Sequence, residues 1–458
     1  MVSFNQKGGF MIKRYNPKDV ARIWRLRSKF EYWLKVELAM IKARYQRGDY
    51  PKNVYKQIRK KARFKVSEVQ AIDKIIHHDL QAFVDNVRSY LDENLRKYFH
   101  EEMTSYDTEE PALALQLLKA GGIIHRELKS LADCLREKAS QHMWTFCIGV
   151  THGQDARPTT FGWRLCSYLE AIERADENLA FILEQLREVK MSGAIGNYLT
   201  IDPELEEEAL RILNLKVRPA ATQITLRDNI ARFLAEIAVI GSCLEKMAVD
   251  LRHWSKTSTL EIQEPRSKKQ KGSSAMPHKK NPIILERLTG QSRLLRANAL
   301  VAMENIATWE ERDISQSSPE RIILPDATGL VVYMLRQMNW VISHLVVFRE
   351  RMALNIDRTN GCWASEEVKT LLADTGINPE DVYRLVQTAA FRAMEEDTSF
   401  MQSVLQASIP GSGQVVAEVV SAEKIRGCFN FQSRLHEVLP RVYQRFNLDP
   451  DRALPDNC

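Results

Sequence analysis

Few residues along this chain interrupt a helix. Glycine occurs 19 times and proline 16 times in 458 residues, and the average share of glycine alone is about 7%. Because these two residues are the main helix breakers, a chain that is short of both is expected to be mostly helical. The same counts exclude collagen-like and linker-rich chains, and a hydrophobic content of 44% excludes wholesale disorder. The sequence therefore predicts an all-α fold.

Helical periodicity divides the chain into three parts. Apolar residues recur at helical spacing over residues 17–47, and Gly48 is expected to end that helix. The middle of the chain contains a long-helix bundle, and a smaller helical unit follows residues 355–361. We place the first boundary at Gly121 and Gly122, after a polar segment that ends at Pro111. The predicted domains are residues 1–120, 121–358 and 359–458, and the long central helices are expected near 162–190, 224–254, 282–308 and 326–355.

The most apolar stretch of the chain is GLVVYMLRQMNWVISHLVVF, residues 329–348. Arg336, Gln337, Asn339 and His344 interrupt it, whereas a membrane-spanning helix needs about 20 mainly apolar residues. We predict a helix that is buried inside a bundle or an oligomer. The first ten residues contain no apolar stretch that is long enough for a signal peptide.

Charge and cysteine content limit the possible partners. A net charge of +6 permits an anionic substrate but does not require nucleic acid. The cysteines, at positions 134, 147, 166, 243, 362, 428 and 458, form no CxxC pair, and their odd number suggests a reducing cytoplasm. Histidine and cysteine show no metal-ligand spacing. We therefore expect a cytoplasmic protein without a metal, a nucleic-acid partner or a membrane span.

The segment GSSAMPHKKNP, residues 272–282, concentrates chemistry in a short loop. It presents two hydroxyls, an imidazole, two ammonium groups and an amide before a helix that opens around Pro282. Backbone amides at a helix start, together with Lys279, favour anions, and a serine hydroxyl in that field could act as a base. A flexible surface loop with capping serines explains the composition equally well.

This segment closely resembles the signature of the fumarase and aspartase superfamily, whose members cleave a C–N or C–O bond by β-elimination. Within the superfamily the chain resembles the adenylosuccinate lyases of purine synthesis. Six further segments resemble that family in the same order, and the resemblance covers almost the whole chain from Met11. The six are MIKRY (11–15), IIHHD (75–79), EMTSYD (102–107), VTHGQ (150–154), TQITLRD (222–228) and ERDISQSSPERIILPD (311–326).

The resemblance implies both catalytic and substrate-binding residues. The expected catalytic residues are His152, Ser273 and Lys279, to which we add Glu286, two helical turns after Lys279, as a residue that could orient another side chain or be an ordinary helix acid. The expected substrate-binding residues are Arg14, Tyr15, His77, His78, Asp79, Thr104, Ser105, Gln223, Ser274, Lys280, Asn281, Arg312, Ser317 and Arg321. Without the resemblance, Arg312 and Arg321 would make a phosphate cradle or ordinary salt bridges.

The chain departs from the family pattern at five positions. Val150 replaces an arginine, Asp155 a histidine and His77 an arginine, whereas Gln316 replaces a histidine and Lys280 an arginine. Lys280 keeps the charge but not the bidentate fork of arginine. The expected acid, base and phosphate-binding arginines all remain.

The implied reactions convert succinyl-AMP to AMP and fumarate, and SAICAR to AICAR and fumarate, by a carbon–nitrogen lyase that needs no cofactor. Ser273 would remove the β-proton, Lys279 and Asn281 would stabilise the resulting carbanion, His152 would protonate the leaving nitrogen, and Ser274 would bind a carboxylate. The superfamily also implies a homotetramer whose sites gather loops from three subunits. The alternatives are another lyase or a cycloisomerase of the superfamily, or a catalytically silent scaffold of the same fold.

Overall fold

The computed structural model describes residues 12–266 and 275–450. The chain forms two compact units, and each unit is assembled from three separate segments. Unit 1 comprises the residues up to Leu131, Ile172–Lys246 and Arg287–Met338. Unit 2 comprises Ala132–Ala171, Met247–Glu286 and the residues from Asn339 onward. The expected all-α fold is confirmed.

The N-terminal part is helical, as predicted, but its first helix is divided. The extended backbone of Arg25 separates two helices within residues 17–47, and Gly48 ends the second with a positive φ of 90°. A 3₁₀ turn, Lys13–Tyr15, precedes them. The helices are α1 (Lys18–Ile23), α2 (Leu26–Arg47), α3 (Val54–Lys61), α4 (Val66–Ile76), α5 (Asp79–Ser89) and α6 (Glu93–Arg96).

Long helices follow, as the periodicity predicts. Two of them differ in extent from the prediction. The helix expected at 282–308 ends at Glu304, and the helix expected at 326–355 begins at Ser317, ends at Ser343 and is followed by a separate short helix. The elements are α7 (Ser105–Gln141), α8 (Phe161–Gln185), α9 (Pro203–Leu213), α10 (Asp228–Trp254), α11 (Ile283–Glu304), α12 (Ser317–Ser343) and α13 (Arg349–Ile356).

Helix α7 contains residues that the sequence analysis assigned to a polar segment and a boundary. Its start is capped because the backbone N–H of Thr104 donates to the Asp107 carboxylate at 2.9 Å. Gly121 lies inside the helix, where an added Cβ would come within 2.2 Å of Leu183 Cδ2 on α8. This glycine therefore permits close contact between two helices and does not end one. The division into three domains stays a prediction.

Strands are few and short among the described residues, and they form three two-stranded sheets. The antiparallel hairpin β1 (Phe146–Thr151) and β2 (Gln154–Thr160) is the longest pair. The others are β3 (Glu188–Val189), parallel to β4 (Lys216–Val217), and β5 (Ile262–Gln263), antiparallel to β6 (Val346–Val347). Two-residue strands carry too little pattern to be recognised in a sequence.

The C-terminal part of unit 2 is made of short helices around their own apolar core. A 3₁₀ turn, Cys362–Ala364, leads into it, and Val368, Val386 and Phe400 are among its buried residues. The helices are α14 (Ser365–Ala373), α15 (Pro379–Glu395), α16 (Phe400–Leu405), α17 (Val416–Val419), α18 (Ala422–Gly427) and α19 (Phe431–Tyr443), followed by the 3₁₀ turn Gln444–Phe446.

The apolar stretch 329–348 is largely buried within the single chain. Val331, Met334, Leu335 and Met338 have no exposed surface. No helix in the described part of the chain is long and apolar enough to cross a membrane. Because the chain covers most of this stretch by itself, the stretch gives no argument for an oligomer.

Candidate active site

In unit 1 the structure brings together two of the expected substrate-binding residues from distant parts of the sequence. Asp79, the first residue of α5, accepts hydrogen bonds from Lys29 Nζ at 2.8 Å and from Arg321 Nη2 at 3.1 Å. Burial by itself would raise the pKa of Asp79, but the charges of Lys29 and Arg321 outweigh it and lower the pKa to about 2. Asp79 is therefore ionised, and it fixes Arg321, whose side chain remains 55% exposed.

A second expected pair is joined directly. Arg312 Nη1 donates to Gln223 Oε1 at 2.7 Å, and Gln223 Nε2 donates to the carbonyl oxygen of Ala194 at 3.0 Å. The Arg312 guanidinium also lies over the ring of Tyr106, 3.8 Å from its centroid. Gln223 and Tyr106, the two residues that contact Arg312, are each more than eighty positions from it in the sequence.

Buried charges lie next to this arginine. Arg227, 1% exposed, contacts Glu110 and approaches Glu320 Oε1 at 2.9 Å. Burial raises the pKa of Glu320 to about 7, although Arg227 opposes the shift. Burial likewise raises the pKa of Glu109 to about 7, against the charges of Lys29 and two arginines. The site thus contains two carboxyl groups that titrate near neutral pH.

Three expected hydroxyl residues lie at helix starts. Thr104 directly precedes α7, which begins at Ser105, and Ser317 is the first residue of α12. Free backbone N–H groups and the helix dipole favour an anion at such positions. Asp107, which caps α7, also accepts from Lys190 Nζ at 2.6 Å and from the backbone of Gly193 at 3.2 Å. These contacts tie α7 to the loop that carries Ala194.

The expected histidines of the segment 75–79 form the joint between two helices. His77 ends α4 in the left-handed conformation, with a φ of 53°. His78 precedes α5, and its Nδ1 accepts from the backbone N–H of Gln81 at 3.2 Å. Both side chains are exposed, so the joint presents them to solvent while Asp79 points to the cations.

The expected substrate-binding residues Arg14 and Tyr15 lie in the first 3₁₀ turn. The ring of Tyr15 meets the ring of Tyr333 edge to face, with centroids 5.2 Å apart. The hydroxyl of Tyr333 accepts from Arg287 Nη1 at 2.8 Å. Arg14 is exposed. Tyr15 is thus held by an aromatic contact, while Arg14 is accessible to a ligand.

In unit 2, His152 occupies the tip of the β1–β2 hairpin. His152 and Gly153 form its two-residue loop, and both have positive φ, at 54° and 79°. The neighbouring Asp155 accepts from Arg358 Nε at 2.5 Å. The departure at Asp155 therefore supplies an ion pair that fixes the hairpin close to its tip. Val150 and the imidazole of His152 are exposed.

The described end of the signature loop leads into α11. Lys279 and Lys280 are exposed, and Asn281 precedes the helix with a partly buried side chain. The buried carboxylate of Glu264 accepts from the backbone N–H groups of Ile284 and Leu285, each at 2.9 Å. This carboxylate caps α11 and fixes the end of the loop. Glu286 is exposed in the first turn of α11, and the expected Ser273 and Ser274 lie outside the described residues.

Other residues of these arrangements were not expected from the sequence. Tyr106, Lys29, Glu264 and Arg358 lie in ordinary helical or loop patterns, so no sequence signal distinguishes them. For Tyr106 the one indication of a functional role is its position inside the segment EMTSYD. Within residues 12–266 and 275–450, no group of three or more His, Cys, Asp or Glu residues could hold a metal ion.

Comparisons with known proteins agree with the resemblance. Residues 15–295 match the model of a family described as Lyase. The chain is 38% identical over 438 residues to the adenylosuccinate lyase of Synechocystis sp., covering 96% of this chain and all of that protein. It is also 38% identical to the adenylosuccinate lyase of Thermotoga maritima, covering 95% of this chain and 99% of that protein.

Solved structures show the same fold at lower identity. A fumarate lyase from Mesorhizobium sp. BNC1 superposes with a TM-score of 0.84 at 22% identity, covering 96% of this chain and 100% of that chain. The 3-carboxy-cis,cis-muconate lactonizing enzyme from Pseudomonas putida superposes with a TM-score of 0.82 at 23% identity, covering 95% and 98%.

Proposed function

This chain belongs to the adenylosuccinate lyase family, and from that premise we propose how its residues release fumarate from succinyl-AMP and from SAICAR. The reaction is the β-elimination of a carbon–nitrogen lyase. The observation that supports this most directly is in unit 1, where the side chains of Arg312 and Arg321 are each fixed by a polar partner and both charges act on Glu109. Both substrates carry a phosphate, which such a pair binds well.

The phosphate is bound by Arg312, Arg321 and Ser317. Arg321 is oriented by Asp79, which Lys29 helps to keep ionised. Arg312 is oriented by Gln223. Thr104 and Ser105 contribute hydroxyls at the start of α7, and Ser317 adds the start of a 27-residue helix. Arg14, Tyr15, His77 and His78 contact the nucleotide part of the substrate.

The elimination itself is carried out by the signature loop and the hairpin. Ser273 removes the β-proton of the succinyl group, and the carbanion is stabilised by Lys279 and Asn281, because fixed positive charge near the aci-carboxylate lowers its free energy. Ser274 and Lys280 bind the carboxylates. His152 protonates the leaving nitrogen, and its exposed position at a hairpin tip leaves the imidazole accessible. Glu286 orients a neighbouring basic group.

The active enzyme is a homotetramer with sites shared between subunits, in the cytoplasm. Large apolar side chains on the long helices of unit 1 support this assembly, because a monomer would leave them in water. Phe181 on α8, Leu300 on α11 and Ile322 on α12 are 66%, 60% and 50% exposed. Large apolar side chains that are more than half exposed on long helices are typical of surfaces that another subunit covers.

The direct test is fumarate release by the purified protein, followed by ultraviolet absorbance, with succinyl-AMP and with SAICAR. Both substrates should be cleaved without added metal or nucleotide cofactor. A muconate derivative serves as the control substrate and should give no product. Loss of activity with a chelator and its recovery with a metal would contradict the cofactor-free mechanism. No fumarate from either substrate would refute the proposed function.

A further inference from the structure

The guanidinium of Arg312 is held by a buried aromatic ring as well as by Gln223. Its Cζ lies 3.8 Å from the ring centroid of Tyr106, and the tyrosine is only 6% exposed. A cation at this distance from an aromatic face is attracted by the ring quadrupole, more strongly where water is excluded. The ring therefore limits the positions that the Arg312 side chain can take.

The ring of Tyr106 is itself fixed. Gln316, which is fully buried and directly precedes α12, donates from Nε2 to the Tyr106 hydroxyl at 3.2 Å. A second guanidinium, that of Arg227, lies 6.0 Å from the same ring centroid, and Glu110 and Glu320 hold it there. Burial raises the pKa of Tyr106 to about 12, so its phenol is neutral. Gln316, which departs from the family pattern, thus has a defined partner.

We propose that Tyr106 is a positioning residue that holds the Arg312 guanidinium in place for the substrate phosphate, and that Gln316 fixes the tyrosine ring. The proposal rests on the proposed function, in which Arg312 binds phosphate. Bidentate binding of phosphate requires the planar guanidinium in one orientation. A long side chain that is ordered before binding loses less rotamer freedom when the ligand arrives. The ring thus improves binding of the phosphate and leaves the bond-breaking step unchanged.

The test compares substrates that differ only in the phosphate. Tyr106→Leu should raise KM for succinyl-AMP about tenfold with kcat within about twofold, because the lost interaction is the same in the ground and transition states. Its kcat/KM for succinyladenosine, which lacks the phosphate, should equal that of the unmodified enzyme. Tyr106→Phe keeps the ring and should stay within about threefold in KM. Inorganic phosphate serves as a competitive inhibitor. The affinity of Tyr106→Leu for it should be about tenfold lower than that of the unmodified enzyme, whereas Tyr106→Phe should show no such loss.

Controls separate positioning from a general loss of structure. Tyr168 is buried to a similar degree, at 7% exposure, and its hydroxyl contacts Asp250; Tyr168→Leu should change kcat/KM equally for the two substrates, if at all. Should Tyr106→Leu not fold, Gln316→Leu retains the tyrosine side chain and removes only the hydrogen bond to its hydroxyl. It should raise KM for succinyl-AMP about threefold without an effect on succinyladenosine.

Two results would overturn the proposal. One is an equal loss of kcat/KM on both substrates in Tyr106→Leu or Gln316→Leu, and the other is an unchanged affinity for inorganic phosphate. If the unmodified protein releases no fumarate, the proposed function fails, but the affinity of AMP measured by calorimetry still decides the inference. Weaker AMP binding in Tyr106→Leu supports positioning, and unchanged binding refutes it.

Discussion

Ser273 and the two phosphate-binding arginines are proposed to act at different stages of the reaction, and kinetic constants can separate them. Arg312→Ala or Arg321→Ala should mainly raise KM, because the phosphate does not change during the elimination. Ser273→Ala should mainly lower kcat, by about 10²- to 10⁴-fold, because loss of a positioned proton-transfer group has that effect. Steady-state kinetics with succinyl-AMP measures both.

Ser274→Ala is the matched control for this experiment. It should weaken substrate binding and leave kcat closer to normal. If Ser274→Ala loses kcat while Ser273→Ala retains it, the base has been assigned to the wrong serine. If neither change matters, another group removes the proton.

Glu109 makes substrate binding depend on pH. Its pKa of about 7 means that it is mostly neutral at pH 6 and ionised at pH 8. Its carboxyl group interacts electrostatically with Asp79, Lys29, Arg312 and Arg321. Its ionisation therefore adds a negative charge beside the proposed phosphate site. The test is the KM for succinyl-AMP of the unmodified enzyme divided by the KM of Glu109→Gln. This ratio should rise about threefold to tenfold between pH 6 and pH 8.

Taking the ratio removes the titration of the substrate phosphate itself, whose second pKa is about 6, since both proteins meet the same substrate. A ratio that stays constant across this range would show that Glu109 does not face the phosphate. A ratio that falls would mean that the sign of the interaction is wrong.

At the scale of helices, Gly162 at the start of α8 should be intolerant of a side chain. An added Cβ would lie 2.5 Å from the carbonyl oxygen of Ala139 and 2.8 Å from the Cα of Met143. Because these are backbone atoms, two elements must separate, and Gly162→Ala should destabilise the fold by about 1–3 kcal/mol. Thermal unfolding at one protein concentration measures the change.

Gly122 provides the comparison, since it lies inside α7 and an added Cβ there meets nothing within 4 Å. Gly122→Ala should stabilise the helix by about 0.5–1 kcal/mol. A rise in the unfolding temperature for Gly162→Ala, or equal shifts for the two variants, would contradict the steric explanation.

The long helices could be predicted because their signal is local. Apolar residues at helical spacing and the shortage of glycine and proline are enough to locate α8 and α10. The interpretation of Gly121 as a boundary was wrong. A glycine is needed there because Leu183, which lies in another helix, leaves no room for a side chain. The capping of α7 was missed because aspartate replaces the usual glutamate or glutamine of a capping box.

The site was predictable only in part, for a related reason. Arg312 and Arg321 lie in a segment in which the family resemblance identifies them. Tyr106, in contrast, is fixed by Gln316, which is 210 residues away in the sequence. Lys29 likewise meets Asp79 across 50 residues. A single sequence contains no information about such pairings until the fold brings them together.

At the scale of the whole molecule, the shared-site assembly predicts that two inactive variants restore each other. Ser273→Ala and His152→Ala, mixed after partial unfolding and refolded together, should regain activity, because some sites of a mixed tetramer contain neither substitution. Size-exclusion chromatography with light scattering shows whether each variant assembles. Each variant refolded alone is the control, and mixed tetramers without activity would refute sharing.

Unit 1 is assembled from three separate segments of the chain, and this affects folding during synthesis. Its last segment, Arg287–Met338, completes the unit that begins before Leu131, so the ribosome releases the early helices long before their partners exist. At about 5–20 residues per second, the interval between Leu131 and Met338 lasts about 10 to 40 s. During that interval Trp24, whose Nε1 donates to Thr328 Oγ1 at 2.9 Å in the finished unit, lacks this partner and stays accessible to other nascent chains. We therefore expect the yield of this protein in a cell to depend on protection during synthesis as well as on the stability of the finished fold.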